Sequence, residues 1–227
     1  MNMFFCCVKR KLVVAVAVVA SLLVTGCAQN FTPITKQGSK GNGLNSHISD
    51  LNICQIFERE PEWFDAAVIM EDKFGTPIPM AMAIVKQESS FVHNARPIKR
   101  NAAGRGIGYK STAYGYSQAL TGTWDDFKKV AKRRVDRTDF ADSLLFIGWY
   151  TSLSKQELNL PWRKAADHYL AYHEGRTGYR QKRHEGKTAL LNIADKVAKQ
   201  TSQYSKQLRG CRTALAKQSR LGQYAKN

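Results

Sequence analysis

Apolar residues recur at the spacing of an α-helix through most of the chain beyond residue 60. Prolines, potential caps and a glycine mark where several of these helices begin or end. No sustained alternation of apolar and polar residues indicates a β-strand. The pattern therefore predicts an all-α, mostly helical domain with long loops. The predicted helices begin at Pro61, Pro79, Asp139, Pro161 and Ala189, with one more capped by Thr123. The helix from Pro79 is predicted to end at about Ser89, and the last helix at Leu208.

The N-terminus has the pattern of an export signal. A basic stretch, Lys9 to Lys11, precedes an apolar run from Leu12 to Val24 that is too short to span a bilayer. The run ends in Leu23 to Cys27, a segment that resembles the lipobox of bacterial lipoproteins. The resemblance implies that residues 1–26 are removed and that Cys27 carries lipid. An ordinary signal peptide or a membrane anchor is the alternative.

The residue after the modified cysteine bears on the final location. Lipoproteins retained in the inner membrane usually have aspartate there, whereas Ala28 follows Cys27 in this chain. The lipobox resemblance therefore implies a protein that is lipid-anchored to the outer membrane and faces the periplasm.

Three regions follow the predicted signal. Residues 27–49 are polar and glycine-containing, without a helical or strand period, so we interpret them as a flexible tether. Residues 50–210 hold the helical patterns and are long enough for one domain with its own core. Residues 211–227 are interpreted as a basic C-terminal tail.

The charge balance indicates polyanionic partners. Lysine and arginine number 35 against 18 acidic residues, a formal net charge of +17. A strongly basic protein attracts polyanions over long distances. Nucleic acid is the usual first hypothesis, but an exported protein meets cell-wall polymers and anionic lipid instead. We therefore expect no nucleic-acid partner.

The cysteines suggest one disulfide. Cys6 and Cys7 belong to the predicted signal and Cys27 to the lipid site, which leaves Cys54 and Cys211. An even pair in an exported domain favours a disulfide, because oxidising compartments preserve it. Two buried free thiols are the alternative.

Glu88 is the first residue whose surroundings suggest chemistry. It follows the apolar helical stretch Met80 to Val85, so its carboxyl is predicted to be partly desolvated, which raises the pKa. A carboxyl with a raised pKa can act as a general acid near neutral pH. A solvated glutamate at a helix end is the alternative.

Two further segments could bind a sugar. Thr112 to Leu120 combine a glycine, which permits close backbone approach, with aromatic rings and with the donor and acceptor of Gln118. In the segment Ala171 to Gly175, Tyr172 could orient a carboxyl, or could be a core residue.

Together, and in this order, the three segments resemble the SLT-type (soluble lytic transglycosylase) domain of the lysozyme-like superfamily. The Glu-Ser, Gly-Leu-Met-Gln and Ala-Tyr-Asn-x-Gly motifs of that family match Glu88-Ser89, Gly115 to Gln118 and Ala171 to Gly175. The resemblance covers roughly residues 77–178.

Three features depart from the family pattern. Tyr116 and Ser117 replace the leucine and methionine of the second motif, and His173 replaces the asparagine of the third. A basic segment between the first two motifs looks like an insertion that could add substrate or partner contacts; it carries Arg96, Lys99, Arg100 and Arg105.

The resemblance implies a lysozyme-like fold and a peptidoglycan lytic transglycosylase without a cofactor. Glu88 would be its single general acid and base, cleaving the bond between N-acetylmuramic acid (MurNAc) and N-acetylglucosamine (GlcNAc) and forming a 1,6-anhydro ring. Tyr172 would orient the Glu88 carboxyl or the substrate acetamide. The substrate-binding residues implied by the resemblance are Ser89, Tyr114, Tyr116, Ser117, Gln118, Tyr172 and His173.

Two alternatives stay open. A muramidase resembling goose-type lysozyme would hydrolyse the same bond with water and would need a second carboxylate, for which Glu174, Asp139 and Asp142 are conceivable. A non-catalytic lipoprotein that binds the wall would keep the cleft without the activity, which the intact Glu88 disfavours. A metal enzyme is disfavoured because the five histidines show no metal-ligand spacing.

Overall fold

The computed structural model describes residues 47–219. The predicted signal, Cys27 and residues 27–46 of the predicted tether therefore lie outside the described residues, as does the end of the chain from residue 220. Within the described range a short 3₁₀-helix, Ile48–Asp50, precedes seven α-helices and one β-hairpin. The helices are α1 (Ile53–Arg59), α2 (Pro61–Phe74), α3 (Ile78–Ser89), α4 (Thr121–Ala131), α5 (Phe140–Leu158), α6 (Ala165–Arg180) and α7 (Thr188–Gln218). The strands are β1 (Ile98–Arg100) and β2 (Gly106–Tyr109).

Helix α3 lies at the centre of the domain. Every residue from Ile78 to Val85 is buried, because α2, α5 and α7 all pack against this helix. A helix that is apolar on all sides is stable only when it is enclosed in this way. The prediction of a helix that ends at Ser89 is confirmed, and α3 therefore presents its last turn, which contains Glu88, at the boundary of the core.

Helices α2 and α5 pack unusually closely. A Cβ atom at Gly148 of α5 would lie 2.6 Å from the Met70 side chain of α2, so only glycine allows this approach. Thr76, in the loop between α2 and α3, contacts α5 as well, since its hydroxyl donates to the Gly148 carbonyl at 3.1 Å. This contact holds α5, one wall of the candidate site, against the core.

The mostly helical prediction is confirmed, but three helix ends differ. Thr123 does not cap α4, which begins at Thr121. Pro161 lies in a turn whose carbonyl accepts from the Lys164 amide, and α6 begins only at Ala165. Helix α7 continues past Leu208 to Gln218, so residues 211–218, assigned to the tail, are helical.

The β-hairpin was missed by the sequence prediction. β1 and β2 pair antiparallel, with Ile98 opposite Tyr109 and a register irregularity between Lys99 and Arg100. Every residue of both strands is exposed. The strands are only three and four residues long and neither face contacts a core, so they carry no sustained alternation by which a half-buried strand is recognised.

Cys54 of α1 and Cys211 of α7 form a disulfide. Their sulfur atoms are 2.10 Å apart and their Cα atoms 6.0 Å apart, which meets the geometric condition for a bridge. The bond closes a loop with a sequence separation of 157 residues. In the chain-entropy model a loop of this length stabilises the fold by up to about 5 kcal/mol.

Among residues 47–219, no helix combines the length and the apolar character needed to cross a membrane.

Candidate active site

The chain turns sharply directly after Glu88. Ser90 and Phe91 both adopt left-handed backbone conformations, with φ of 51° and 63°, although neither is glycine. Such a conformation costs roughly 1–2 kcal/mol per residue and persists only where the surroundings stabilise it. The buried Phe91 ring provides that support by stacking on Trp63, which in turn stacks on Phe140 at 3.7 Å. The turn leaves the Glu88 carboxyl at the open end of α3.

A cleft of about 430 Å³ lies beside the Glu88 carboxyl. Its walls come from the end of α3, the segment between β2 and α4, the first turn of α4, the middle of α5 and the α6 segment that contains the third motif. The residues that line it are Glu88, Pro97, Ser111, Ala113, Gln118, Ala119, Leu120, Thr123, Phe146, Tyr150, Tyr172, His173, Glu174 and Gly175.

Glu88 has the electrostatics of a general acid. Burial raises the pKa of its carboxyl from the usual 4.5 to about 7, and hydrogen bonding with the Tyr169 hydroxyl opposes this rise only in part. The buried Oε1 atom has no hydrogen-bond partner among the described residues. A carboxyl of this pKa holds a proton at neutral pH and can also release it there.

Tyr169 is a site residue that the sequence analysis did not identify, and its hydroxyl interacts with the Glu88 carboxyl. Burial and the Glu88 charge both raise the pKa of Tyr169, so the phenol stays protonated and can donate. Tyr169 lies three residues before Tyr172, and residues at this spacing share one face of a helix. That spacing is the sequence signal that could have identified it.

Tyr172 connects α6 to the second motif. Its hydroxyl donates to the Ser117 carbonyl at 2.6 Å. Burial raises the pKa of Tyr172 well above its usual value, and the nearby Glu88 charge contributes to the rise. Since its proton is directed at Ser117, Tyr172 fixes the wall beside Glu88, and Tyr169 is the tyrosine whose hydroxyl lowers the pKa of that carboxyl.

Gly115 and Gln118 shape the opposite wall. A Cβ atom at Gly115, whose φ is +76°, would lie 2.0 Å from the Arg137 carbonyl oxygen. The Gln118 amide nitrogen donates to the carbonyls of Ala95 and Gly115, at 2.9 and 2.8 Å. Both amide hydrogens are thereby used, which leaves the Gln118 carbonyl oxygen as the group available to a ligand.

Comparison with protein families agrees with this geometry. The family model described as transglycosylase SLT domain matches residues 15–211. The chain belongs to this family. Comparison with curated proteins and with solved structures gave no significant match. Membership supports lytic transglycosylase activity and the binding of peptidoglycan glycan strands.

Three of the predicted substrate-binding residues of this SLT domain are not among the residues that line the cleft. The Ser89 hydroxyl is buried and donates to the Val85 carbonyl within its own helix at 3.1 Å. Ser117 is fully buried, and Tyr116 packs edge-on against Phe140. Tyr116 itself is half-buried, and contact of these three residues with the substrate stays a prediction.

The other predicted residues differ in their access to the cleft. Gln118, Tyr172 and His173 line it. Tyr114 does not line it; its ring lies under the guanidinium groups of Arg96 and Arg137, at 4.2 and 5.3 Å. Gln118, Tyr172 and His173 are therefore in a position to contact a ligand in the cleft, whereas Tyr114 is not among its lining residues.

The candidate second carboxylates of the SLT domain are engaged in other contacts. Asp139 caps α5, and Asp142 pairs with Arg133. Glu174 does line the cleft, but its carboxyl contacts Lys187 at 2.7 Å and His173 at 3.1 Å. The hydrogen bond from Lys187 lowers the pKa of Glu174, and His173 lowers it further.

The pKa of Glu88 is thus raised and that of Glu174 lowered within one cleft. Such a difference between two carboxyls distinguishes a proton donor from a group that stays charged. In the described part of the chain, no group of three or more His, Cys, Asp or Glu side chains could hold a metal ion.

Proposed function

We propose that this protein is a peptidoglycan lytic transglycosylase that cleaves the MurNAc–GlcNAc β-1,4 bond, with Glu88 as the single general acid and base. One observation carries the proposal. The cleft contains one carboxyl whose pKa is raised to about 7. The other, Glu174, has a lowered pKa and is paired with Lys187 and His173.

In the first step, Glu88 donates its proton to the oxygen of the glycosidic bond. The bond between that oxygen and C1 of MurNAc breaks, and the GlcNAc side leaves with its hydroxyl restored. The substrate's own acetamide supports the positive charge at C1. The Glu88 carboxylate is then the base for the second step.

In the second step, Glu88 removes the proton of the MurNAc C6 hydroxyl, and O6 bonds to C1. The product is a 1,6-anhydro ring, and Glu88 regains the proton that it lost. No water is consumed: O6 replaces the leaving oxygen at C1, so the reaction is an intramolecular transglycosylation and not a hydrolysis. A pKa near neutrality suits both proton transfers, and a fixed cleft favours ring closure through proximity.

A muramidase is the second candidate, because Glu174 lies on the same cleft as Glu88. An inverting glycosidase uses a second carboxylate to activate water. The ion pair of Glu174 with Lys187 instead favours a fixed negative charge in the wall. A protein that only binds the wall would not need a desolvated acid.

Mass spectrometry of digested peptidoglycan separates these functions. We expect the wild-type enzyme to release 1,6-anhydro-MurNAc ends, whereas reducing ends would establish the muramidase and no product the binder. Glu88→Gln should lower turnover by about 10²–10⁴-fold, the usual contribution of general acid–base catalysis. Glu58→Gln, on an exposed residue of α1, is the matched control.

Two outcomes would contradict the assignment of Glu88. One is a Glu88→Gln variant that keeps more than a tenth of the wild-type rate. The other is loss of the anhydro product in Glu174→Gln, because our mechanism requires no second carboxylate.

We further propose that the protein is lipid-anchored through Cys27 at the periplasmic face of the outer membrane. The lipobox-like segment and Ala28 support this location. The Cys54–Cys211 disulfide supports an oxidising compartment. Cys27→Ser should accumulate as an unprocessed precursor and lose incorporation of labelled fatty acid. Unchanged labelling of that variant would show that Cys27 is not the lipid site.

A further inference from the structure

Between Glu88 and the next acidic residue, Asp125, every charged residue of the chain is a lysine or an arginine. These 36 positions contain no aspartate or glutamate. They contain five cationic side chains, namely Arg96, Lys99, Arg100, Arg105 and Lys110. We refer to Arg96–Lys110 as the basic hairpin, since it consists of β1, β2 and their flanking residues.

The charges of the basic hairpin are exposed and uncompensated. All five cationic residues are solvent-exposed, and none of them pairs with a carboxylate in residues 47–219. The Arg96 guanidinium lies 4.7 Å from the centre of the Tyr109 ring and 4.2 Å from that of Tyr114. Stacking between two rings restricts its movement, while its edge remains able to donate hydrogen bonds.

The hairpin is joined to the wall of the cleft. The Lys110 amide donates to the Pro97 carbonyl at 2.7 Å, which closes the hairpin at its base. Ala95, directly before it, accepts from the Gly115 amide at 3.1 Å and from the Gln118 side chain at 2.9 Å. Pro97 and Ser111, at the two ends of the hairpin, both line the cleft. A strand held in the cleft therefore lies next to the hairpin.

The charge of a glycan strand lies in its peptides. In intact peptidoglycan the lactyl carboxyl of MurNAc is consumed in the amide bond to the stem peptide, so the sugar rings are neutral. The free carboxylates belong to the stem peptides, which branch from the strand at every MurNAc. Arginine and lysine bind carboxylates through charge-assisted hydrogen bonds, whereas neutral hydroxyls do not require a cluster of cations.

We propose that the basic hairpin binds the carboxylates of the stem peptides and thereby makes the enzyme selective for peptide-bearing glycan with free carboxylates. The proposal rests on the function proposed above, because it assigns a substrate preference to the same cleft. The negative stem peptide neutralises the cations that the fold leaves unpaired.

An anionic membrane surface is the competing ligand. Ile98, Ile107 and Tyr109 of the hairpin are 44, 53 and 58 % exposed, and apolar groups beside cations suit a lipid interface. The attachment of both hairpin ends to the cleft wall favours the peptide instead, because it places the cations beside the substrate.

Amidated peptidoglycan tests the proposal, since converting the free carboxylates to amides removes their charge and preserves the shape of the strand. We expect wild-type kcat/KM to be about three- to tenfold higher on native than on amidated peptidoglycan, as two or three exposed ion pairs would contribute. Lys99→Gln/Arg100→Gln should reduce that ratio to near one by slowing cleavage of the native substrate alone.

The control removes the same charge elsewhere. Lys199→Gln/Lys217→Gln changes two exposed lysines of α7 and should keep the wild-type ratio. A hairpin variant that keeps the ratio, or that loses activity equally on both substrates, overturns the proposal. Raising the salt concentration should shrink the wild-type ratio, because exposed ion pairs are screened.

Binding measurements keep the test independent of cleavage. Glu88→Gln protein should sediment with native sacculi better than with amidated sacculi, and adding Lys99→Gln/Arg100→Gln should abolish the difference. If wild-type protein cleaves nothing while this preference holds, the proposed function fails and the assignment of the hairpin stands. If the added substitutions leave the preference intact but abolish binding to phosphatidylglycerol vesicles, the hairpin binds lipid and the proposal fails.

Discussion

The two sides of the cleft differ in how they hold charge. On the helical side, Glu88 lies at the end of a buried helix, and burial raises its pKa to about 7. On the hairpin side, five cationic side chains are solvent-exposed. A group that transfers a proton must be desolvated to acquire a suitable pKa. A group that attracts a charged substrate must stay solvated, because burying an unpaired charge costs several kcal/mol.

The two sides of the cleft are also held in place by different interactions. The helical side and the segment facing it are fixed by dense packing and by hydrogen bonds such as that from Tyr172 to Ser117. The hairpin is held by its own backbone pairing, by the stacking of Arg96 and by local hydrogen bonds such as that from Arg100 to the Gly104 carbonyl. Equivalent substitutions should therefore have large effects on the packed side and small effects on the hairpin.

Gly115 and Gly104 provide the sharpest test, since their φ angles are +76° and +75°. An alanine Cβ at Gly115 would lie 2.0 Å from the Arg137 carbonyl oxygen, whereas nothing lies within 4 Å at Gly104. Gly115→Ala should lower the free energy of unfolding by about 3 kcal/mol or more, from backbone strain and overpacking together. Gly104→Ala should cost only the strain, about 1 kcal/mol.

Denaturant unfolding of the two variants measures this difference. Equal losses would mean that the Arg137 backbone yields freely, and the contrast in packing between the two regions would then be wrong. Gly115→Ala should also reduce cleavage, because Gln118 donates to the Gly115 carbonyl.

Glu88→Gln should stabilise the fold at neutral and higher pH while it removes activity. Because the folded-state pKa, about 7, is above the usual 4.5, the folded protein binds more protons than the unfolded chain between these values. Wild-type stability therefore falls as pH rises through this window, by at most about 3 kcal/mol. The neutral amide avoids this loss.

Unfolding experiments at pH 5 and pH 8 test the sign of the effect. We expect the glutamine variant and the wild type to differ little at pH 5, and the variant to be the more stable at pH 8. A gap that does not grow with pH would show that Glu88 is not desolvated. Glu58→Gln, at an exposed site, should show no such dependence.

Tyr172→Phe should have the smallest effect of the three on the packed side. It removes the hydroxyl that donates to the Ser117 carbonyl and leaves a partly buried acceptor without its partner, which costs about 1–2 kcal/mol. We expect a lower kcat as well, since the wall beside Glu88 loosens. Tyr109→Phe on the exposed hairpin should change stability by less than about 0.5 kcal/mol. Thermal unfolding measures both effects, and equal losses of stability would contradict the expected difference between the packed side and the hairpin.

The sequence predicted the parts of the site that depend on local pattern. Met80 to Val85 are apolar without interruption, which predicted a buried helix with Glu88 at its end. The stop at Ser89 was predicted correctly. The start of α6 was not, because Pro161 resembles a helix start although its carbonyl accepts from Lys164 in a turn. The hairpin escaped prediction because its exposed strands bury no face.

The order of motifs, the positions of the cysteines and the absence of acidic residues between Glu88 and Asp125 are properties of the sequence by itself. They determined the family, a candidate acid and a basic segment. Tertiary structure alone decided that Tyr169 faces Glu88. It also decided that Ser89 and Ser117 are buried, and that the basic segment is attached to the cleft wall. The physical reason is that pKa values, burial and contacts arise between residues distant in the chain, which local patterns do not encode.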